Sequence, residues 1–182
     1  MKVLIVVDMQ NDFITGSLGT KEAQAIVGNV VKRIEASEGE LILFTKDTHG
    51  NDYLSTPEGI KLPVPHCIEG TEGWQIEDSI INAWRNNKNT LAAAEIHENT
   101  FLKTVFGSTD LVFFLDTNQD EIDEIEILGV CTDICVVSNA LMIKNTMSDV
   151  KISVNAACCA GVTPESHDAA LLVMKMCQVD VV

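Results

Sequence analysis

Five consecutive apolar residues, Val3 to Val7, follow Lys2 and stop at Asp8. A β-branched run of this kind, without the alternation of a half-solvated strand, predicts a strand buried on both faces. A polar loop carries on through Gln10, Asn11, Asp12 and Phe13. Thr20 then stands where a helix cap is needed. The apolar stripe behind it is Ile26, Val27, Val30, Val31 and Ile34, and Gly39 closes the helix. Leu41 to Thr45 repeats the buried-strand pattern and ends at Lys46-Asp47. Strand, helix and strand at this spacing form a βαβ unit, so the sheet is predicted to be parallel.

Residues 48 to 74 are dense in breakers, with Pro57, Pro63 and Pro65 among Gly50, Gly59, Gly70 and Gly73. Such a long structured loop in a compact chain is usually functional. Trp74 to Asn86 is predicted to be helical, with Ile76, Ile80, Ile81 and Trp84 on one side, and Asn86 to Asn89 to turn. A short extended piece, Thr100 to Leu102, ends on Lys103. The stretch from Asp110 to Leu115 suits strand or helix by composition. It is assigned to a short helix because Glu124 to Gly129 must supply the next central strand. The helix after that strand runs to about Met147. Lys151 to Asn155 is a strand, and Ala156 to Gly161 a small-residue turn. Thr163-Pro164-Glu165 starts a helix that reaches Met176, because a capping hydroxyl, a proline and an acid suit the first turn. Gln178 to Val181 is the last strand. No repeat, low-complexity tract or linker interrupts the pattern, so residues 1 to 182 are expected to form one α/β domain.

Composition narrows the partners. A formal charge of −15 over 182 residues disfavours nucleic acid and anionic membrane, since phosphates would be repelled. No apolar run approaches a membrane span, and only five apolar residues precede Asp8, too few for a signal peptide. The six cysteines (67, 131, 135, 158, 159 and 177) are therefore expected as reduced thiols in the cytoplasm. Their spacing does not suit a four-cysteine zinc site.

The strand ends carry the chemistry. Asp8 closes the first apolar run, Asp47 the second and Lys103 the third, while Cys135 follows the fourth, in IEILGVCTDICVVS at 125 to 138. In parallel α/β sheets the ligand crevice lies outside the carboxyl ends of the strands, so the four converge on one edge. Cys135 is placed at a first helical turn, where free N–H groups and the helix dipole favour a thiolate and could hold an oxyanion. Asp8 could take the thiol proton and pass it to a leaving amine, and Lys103 could lower the thiol pKa. A Cys–His pair remains open by spacing but is less economical, because His49, His66, His97 and His167 all lie far from Cys135 in sequence. In Asp47-Thr48-His49 the two outer side chains share a side of an extended segment. With Glu58 and His66 they make a set of two imidazoles and two carboxylates suited to Zn²⁺, Mn²⁺ or Fe²⁺.

Four blocks, VDMQNDF at 7 to 13, TKDTH at 45 to 49, PHCIEGTEG at 65 to 73 and GVCTDICV at 129 to 136, resemble the isochorismatase-like cysteine hydrolases, and within them the nicotinamidases. The resemblance implies a three-layer, doubly wound, Rossmann-like fold around a six-stranded parallel sheet with helices on both faces. It implies Asp8, Lys103 and Cys135 as a catalytic triad and Asp47, His49, Glu58 and His66 as metal ligands, zinc being the first expectation. Phe13 and Phe106 would flank a pyridine ring. A cis peptide between Val130 and Cys131 would lie at the substrate and turn the N–H groups of Cys131 and Cys135 to the oxyanion. Nicotinamidases often carry an aromatic shortly before the loop histidine, whereas Leu62-Pro63-Val64-Pro65 precedes His66 here. Phe106-Gly107-Ser108-Thr109-Asp110-Leu111 resembles the stretch that follows the family's lysine.

The activity so implied is hydrolysis of nicotinamide to nicotinate and ammonia through a thioester, with a small amide as partner and a homo-oligomer expected. Two alternatives stand beside it. One keeps the triad but takes an N-carbamoyl or ureido compound, and relatives of that kind usually lack the metal set. The other is a non-catalytic thiol sensor, which would not need Asp8 and Lys103. Isochorismate is disfavoured, since a dianion would meet an acidic protein.

Overall fold

In a computed structural model the described residues are 1–87 and 95–182. The elements run β1 (Lys2–Val7), α1 (Asn11–Ile14), α2 (Lys21–Glu35), β2 (Glu40–Asp47), α3 (Pro57–Lys61), α4 (Asp78–Asn86), β3 (Thr100–Lys103), α5 (Thr109–Thr117), β4 (Glu124–Val130), α6 (Val137–Thr146), β5 (Lys151–Ala160), α7 (Pro164–Met176) and β6 (Asp180–Val181). The six strands form one sheet in the order β3-β2-β1-β4-β5-β6. Every pairing is parallel. That is the doubly wound order, with its switch point between β1 and β4.

Val3 to Val7 are essentially fully buried, as the unbroken apolar run requires. Burying each such side chain contributes about 1.5–3 kcal/mol. Thr20 caps α2 by accepting from the Ala23 N–H at 3.0 Å, and the helix buries Ala23, Ile26, Val30 and Ile34. α2 packs with α4, while α5, α6 and α7 pack in succession. No helix among the described residues is long and apolar enough to cross a membrane.

Three sequence assignments are corrected. The polar loop after β1 contains a short helix, α1, because Phe13 and Ile14 turn inward and are buried. The helix expected from Trp74 begins at Asp78, capped by the Glu77 carboxylate. Residues 73–77 instead bond the β1–α1 segment: Gly73 O accepts from Asp12 N, Gln75 O from Asn11 N, and Glu77 N donates to Met9 O, each at 2.9 Å. The turn expected at Ala156 to Gly161 is strand, since β5 runs to Ala160 and absorbs a bulge between Ile127 and Gly129 of its neighbour. The turn expected at Asn86 to Asn89 runs into residues 88–94 and lies outside the described residues.

Gly129 sits at that bulge with φ +122°, and a Cβ there would lie 2.1 Å from the Val7 carbonyl oxygen. Backbone cannot yield as a side-chain tip can. Gly129→Ala is therefore expected to lower unfolding stability by about 3 kcal/mol or more. Urea unfolding checks this, and a wild-type midpoint would show that β1 and β4 separate easily.

Candidate active site

Register brings the chemistry together. Val7 pairs with Thr45 on one side and Gly129 on the other, and Asp47 pairs with Lys103. Asp8, Asp47, Lys103 and the Cys131 turn thus leave the sheet at one edge. Asp8 is fully buried and adopts φ 48°, a left-handed conformation rare for a residue with a side chain. Thr45 stabilises it from both ends: Asp8 N donates to Thr45 O, and the Thr45 hydroxyl donates to Asp8 Oδ1 at 2.7 Å. Lys103, 4% exposed, places Nζ 2.6 Å from Asp8 Oδ2, 3.2 Å from Asp47 Oδ1 and 3.4 Å from Cys135 Sγ. Asp8 Oδ2 has that ammonium as its charge partner and no hydrogen bond of ordinary geometry.

Cys135 lies in a π-type turn, Thr132–Val136, and α6 proper starts at Val137. The Val136 N–H reaches back to Cys131 O at 3.1 Å, a wider loop than an α-turn. The peptide between Val130 and Cys131 is cis. Burial raises the Cys135 thiol well above its ordinary pKa, Asp8 and Asp47 raise it further, and Lys103 opposes them without prevailing. The lowering of the thiol pKa expected from Lys103 is thus opposed by burial and by the two carboxylates. Burial also raises the Asp8 carboxyl, Lys103 partly opposing. Burial disfavours the Lys103 ammonium, but its contacts with Asp8, the Cys135 sulfur and Asp47 outweigh that and hold the pKa above the usual lysine value.

Asp47 joins this trio to a second cluster. Its Oδ2 is 2.9 Å from His49 Nε2 and 3.5 Å from His66 Nε2, and Glu58 Oε1 lies 3.7 and 3.8 Å from the same two nitrogens. All four ligand atoms lie within 4.8 Å of one another. His66 Nδ1 is 2.8 Å from Val64 O, which fixes the tautomer with its proton there and leaves the Nε2 lone pair facing the cluster. Thr56 caps α3 and so sets Glu58 in its first turn. Gln10 grips Asp47 by its backbone, Nε2 donating to Asp47 O and Oε1 accepting from Asp47 N, both at 2.8 Å. Two imidazoles and two carboxylates this close, with the far nitrogen of His66 already held by the Val64 carbonyl, fit a divalent ion.

Above these groups opens a pocket of about 250 Å³. Cys135, Asp47, Glu58 and His66 face it, and Phe13, Leu18, Leu62, Phe106, Ile134 and Val162 make its apolar walls. Phe13 is buried and Phe106 is 48% exposed, so one aromatic backs the cavity and the other rims it. Cys131 also lines the pocket, with its thiol pushed up to about 12 by burial first and by nearby acids, while Val130 is fully buried behind it.

Sequence reasoning missed three contributors. Thr45 and Gln10 position Asp8 and Asp47. Tyr53 packs its ring 4.7 Å from His49 and 5.0 Å from His66, supplying from an earlier turn an aromatic neighbour that Leu62 does not. Gln10 falls inside the quoted VDMQNDF block, so its signal was present. Tyr53 carried none beyond lying between the two histidines in sequence.

The family model of the isochorismatase domain matches residues 2–182. The nicotinamidase/pyrazinamidase of Mycobacterium tuberculosis is 28% identical over 195 residues, covering 100% of this chain and 98% of its own length. The crystal structure of a nicotinamidase from Bacillus subtilis superposes with a TM-score of 0.80 at 29% identity, over 99% of this chain and 98% of that one. A pyrazinamidase of Pyrococcus horikoshii, solved in complex with zinc, gives a TM-score of 0.73 at 25% identity, over 100% of this chain and 98% of that one.

Proposed function

The chain belongs to the isochorismatase domain family, and from that premise we propose that it is an amidase converting nicotinamide to nicotinate and ammonia through a thioester on Cys135. One observation carries the reading: a single carboxylate, Asp47, has one oxygen on Lys103 beside Cys135 and Asp8, and the other on the histidine cluster. A nucleophile and a four-donor cluster thus face one small apolar pocket, and a sensor would need neither Asp8 nor the cluster. The nicotinamidase names of the relatives at this similarity support the same substrate.

The proposed steps follow from the proton inventory. Cys135 enters protonated, so its proton passes to the Asp8 carboxylate as the sulfur attacks the carbonyl carbon. The raised Asp8 pKa narrows the gap between acid and base that this transfer must cross. Backbone N–H groups of Cys131 and Cys135 are the proposed donors to the oxyanion. Collapse breaks the C–N bond, and Asp8 returns its proton to the departing nitrogen as ammonia forms. Asp8 next takes a proton from water, which attacks the thioester. The C–S bond breaks, nicotinate leaves, and the sulfur recovers the proton. Lys103 stays charged throughout and holds Asp8 in position.

Asp47, His49, Glu58 and His66 are the proposed ligands of a divalent ion, zinc first, with manganese or iron as the other options. Such an ion would supply a Lewis-acid site for the ring nitrogen of the pyridine. Phe13 and Phe106 would flank the ring, orienting the carboxamide toward Cys135. Benzamide, which lacks that nitrogen, is then expected to show kcat/KM about 10²-fold lower than nicotinamide. Chelation or His49→Ala is expected to erase most of this preference. Steady-state kinetics of both amides check it, and equal turnover insensitive to chelator would favour N-carbamoyl or ureido substrates.

The pH profile follows from Asp8. Its carboxyl must be ionised to accept the thiol proton, and burial raises its pKa. Activity is therefore expected to fall, as pH drops, at a value above the ordinary carboxylate pKa of about 4. A kcat/KM profile flat down to pH 4 would remove Asp8 from the role of base.

A further inference from the structure

A second cavity, of about 500 Å³, lies on the opposite side of the sheet and has no part in these steps. Successive residues of a strand face opposite sides. Asp47 and Lys103 belong to the amide site, and their neighbours Lys46 and Leu102 line this cavity. Lys46 is 6% exposed, and its Nζ lies 3.0 Å from the centroid of the Trp74 ring. Among the described residues no carboxylate comes within ion-pair distance of it, and Glu69 acts on it only from farther away. The sequence from 88 to 94, KNTLAAA, contains no acid either. Arg85 adds a second cation to the wall and His97 an imidazole, Asp78 is the one carboxylate among the described lining residues, and Ile81 and Leu102 are apolar.

A nearly buried ammonium without a counter-ion is costly, and an indole face offsets only part of the lost hydration. In a chain with net charge −15, two basic side chains against one acid among the described lining residues make this cavity a local exception. The apolar and aromatic walls suit an organic body rather than a bare inorganic ion. We propose that the cavity binds a small organic carboxylate, its anionic end meeting Lys46 and Arg85 and its apolar body packing against Ile81 and Leu102.

The chain has two tryptophans, Trp74 in this cavity and Trp84 in the core, so the indole N–H signals of a ¹H–¹⁵N spectrum report on it directly. Benzoate is titrated into the full-length Cys135→Ala protein, with benzamide as the neutral isostere. The Trp74 signal is expected to shift saturably while Trp84 stays in place, and benzamide to bind at least about 10-fold more weakly. Lys46→Met and Arg85→Gln are each expected to weaken benzoate about 10-fold. Arg85 is exposed on α4, so its variant keeps the test valid if Lys46→Met fails to fold. No movement of Trp74, equal binding of benzoate and benzamide, or wild-type affinity in Arg85→Gln would overturn the proposal. Benzoate binding confined to the amide pocket falls in the same class, because it would leave Trp74 still and ignore Arg85.

Discussion

Cys135→Ala is expected to lower amide turnover by on the order of 10⁴-fold or more, while the protein stays folded. Among the described residues the sulfur has both a base and a cation at hand, with Lys103 Nζ 3.4 Å away and Asp8 within hydrogen-bonding reach. Cys131 lines the same pocket but offers no substitute. Its thiol, also raised by burial, shows neither the lysine contact nor the hydrogen bond to Asp8 that Cys135 has. The truncation removes one buried sulfur from a half-open pocket, so the stability loss is expected to be modest. Ammonia release and a thermal unfolding scan measured side by side check both halves. Turnover above about 1% of wild type in a folded variant would move the chemistry to another group.

Asp8→Asn is expected to lower kcat by about 10³-fold, within the usual range for a positioned general base. The amide keeps the shape of the carboxylate but cannot accept the thiol proton, and burial raises the pKa of that thiol. Formation of the thioester fails before any ammonia leaves, so the pre-steady-state burst is lost together with steady turnover. Lys103 loses its partner at 2.6 Å and keeps Asp47 at 3.2 Å. A buried ammonium left half-paired destabilises by about 3–5 kcal/mol. Kinetics must therefore be read at a temperature where unfolding measurements show the variant intact. A burst of one ammonia per chain in folded Asp8→Asn would show that acylation has another base.

The layout of the sheet and the placing of the strand-end residues were legible because burial on both faces writes β1 and β2 as continuous apolar runs and β4 as a mostly apolar one broken by Glu126. Their ends are therefore visible as Asp8, Asp47 and the turn after Val130. Ala156 to Ala160 was misread since small residues carry neither a β pattern nor a turn motif, and a bulge in register leaves no trace in composition. Trp74 was misplaced because an apolar residue at helical spacing looks the same whether its backbone is in a helix or bonded to a neighbouring loop. The thiol is the subtler case. Proximity of a lysine argued for a lowered thiol pKa, but two buried carboxylates share that ammonium, and spacing in sequence does not show how close they stand. Tyr53 entered the site from a turn whose sequence says nothing about the side it faces.

The central claim is amide hydrolysis at Cys135 with nicotinamide as substrate, and product stoichiometry tests it most directly. Nicotinamide is incubated with the zinc-loaded chain and with its Cys135→Ala variant, and nicotinate and ammonia are quantified together. The expected result is one nicotinate and one ammonia for each nicotinamide consumed by the wild type, and neither from the variant. A wild-type chain that leaves nicotinamide intact while releasing ammonia from an N-carbamoyl or ureido compound would contradict it.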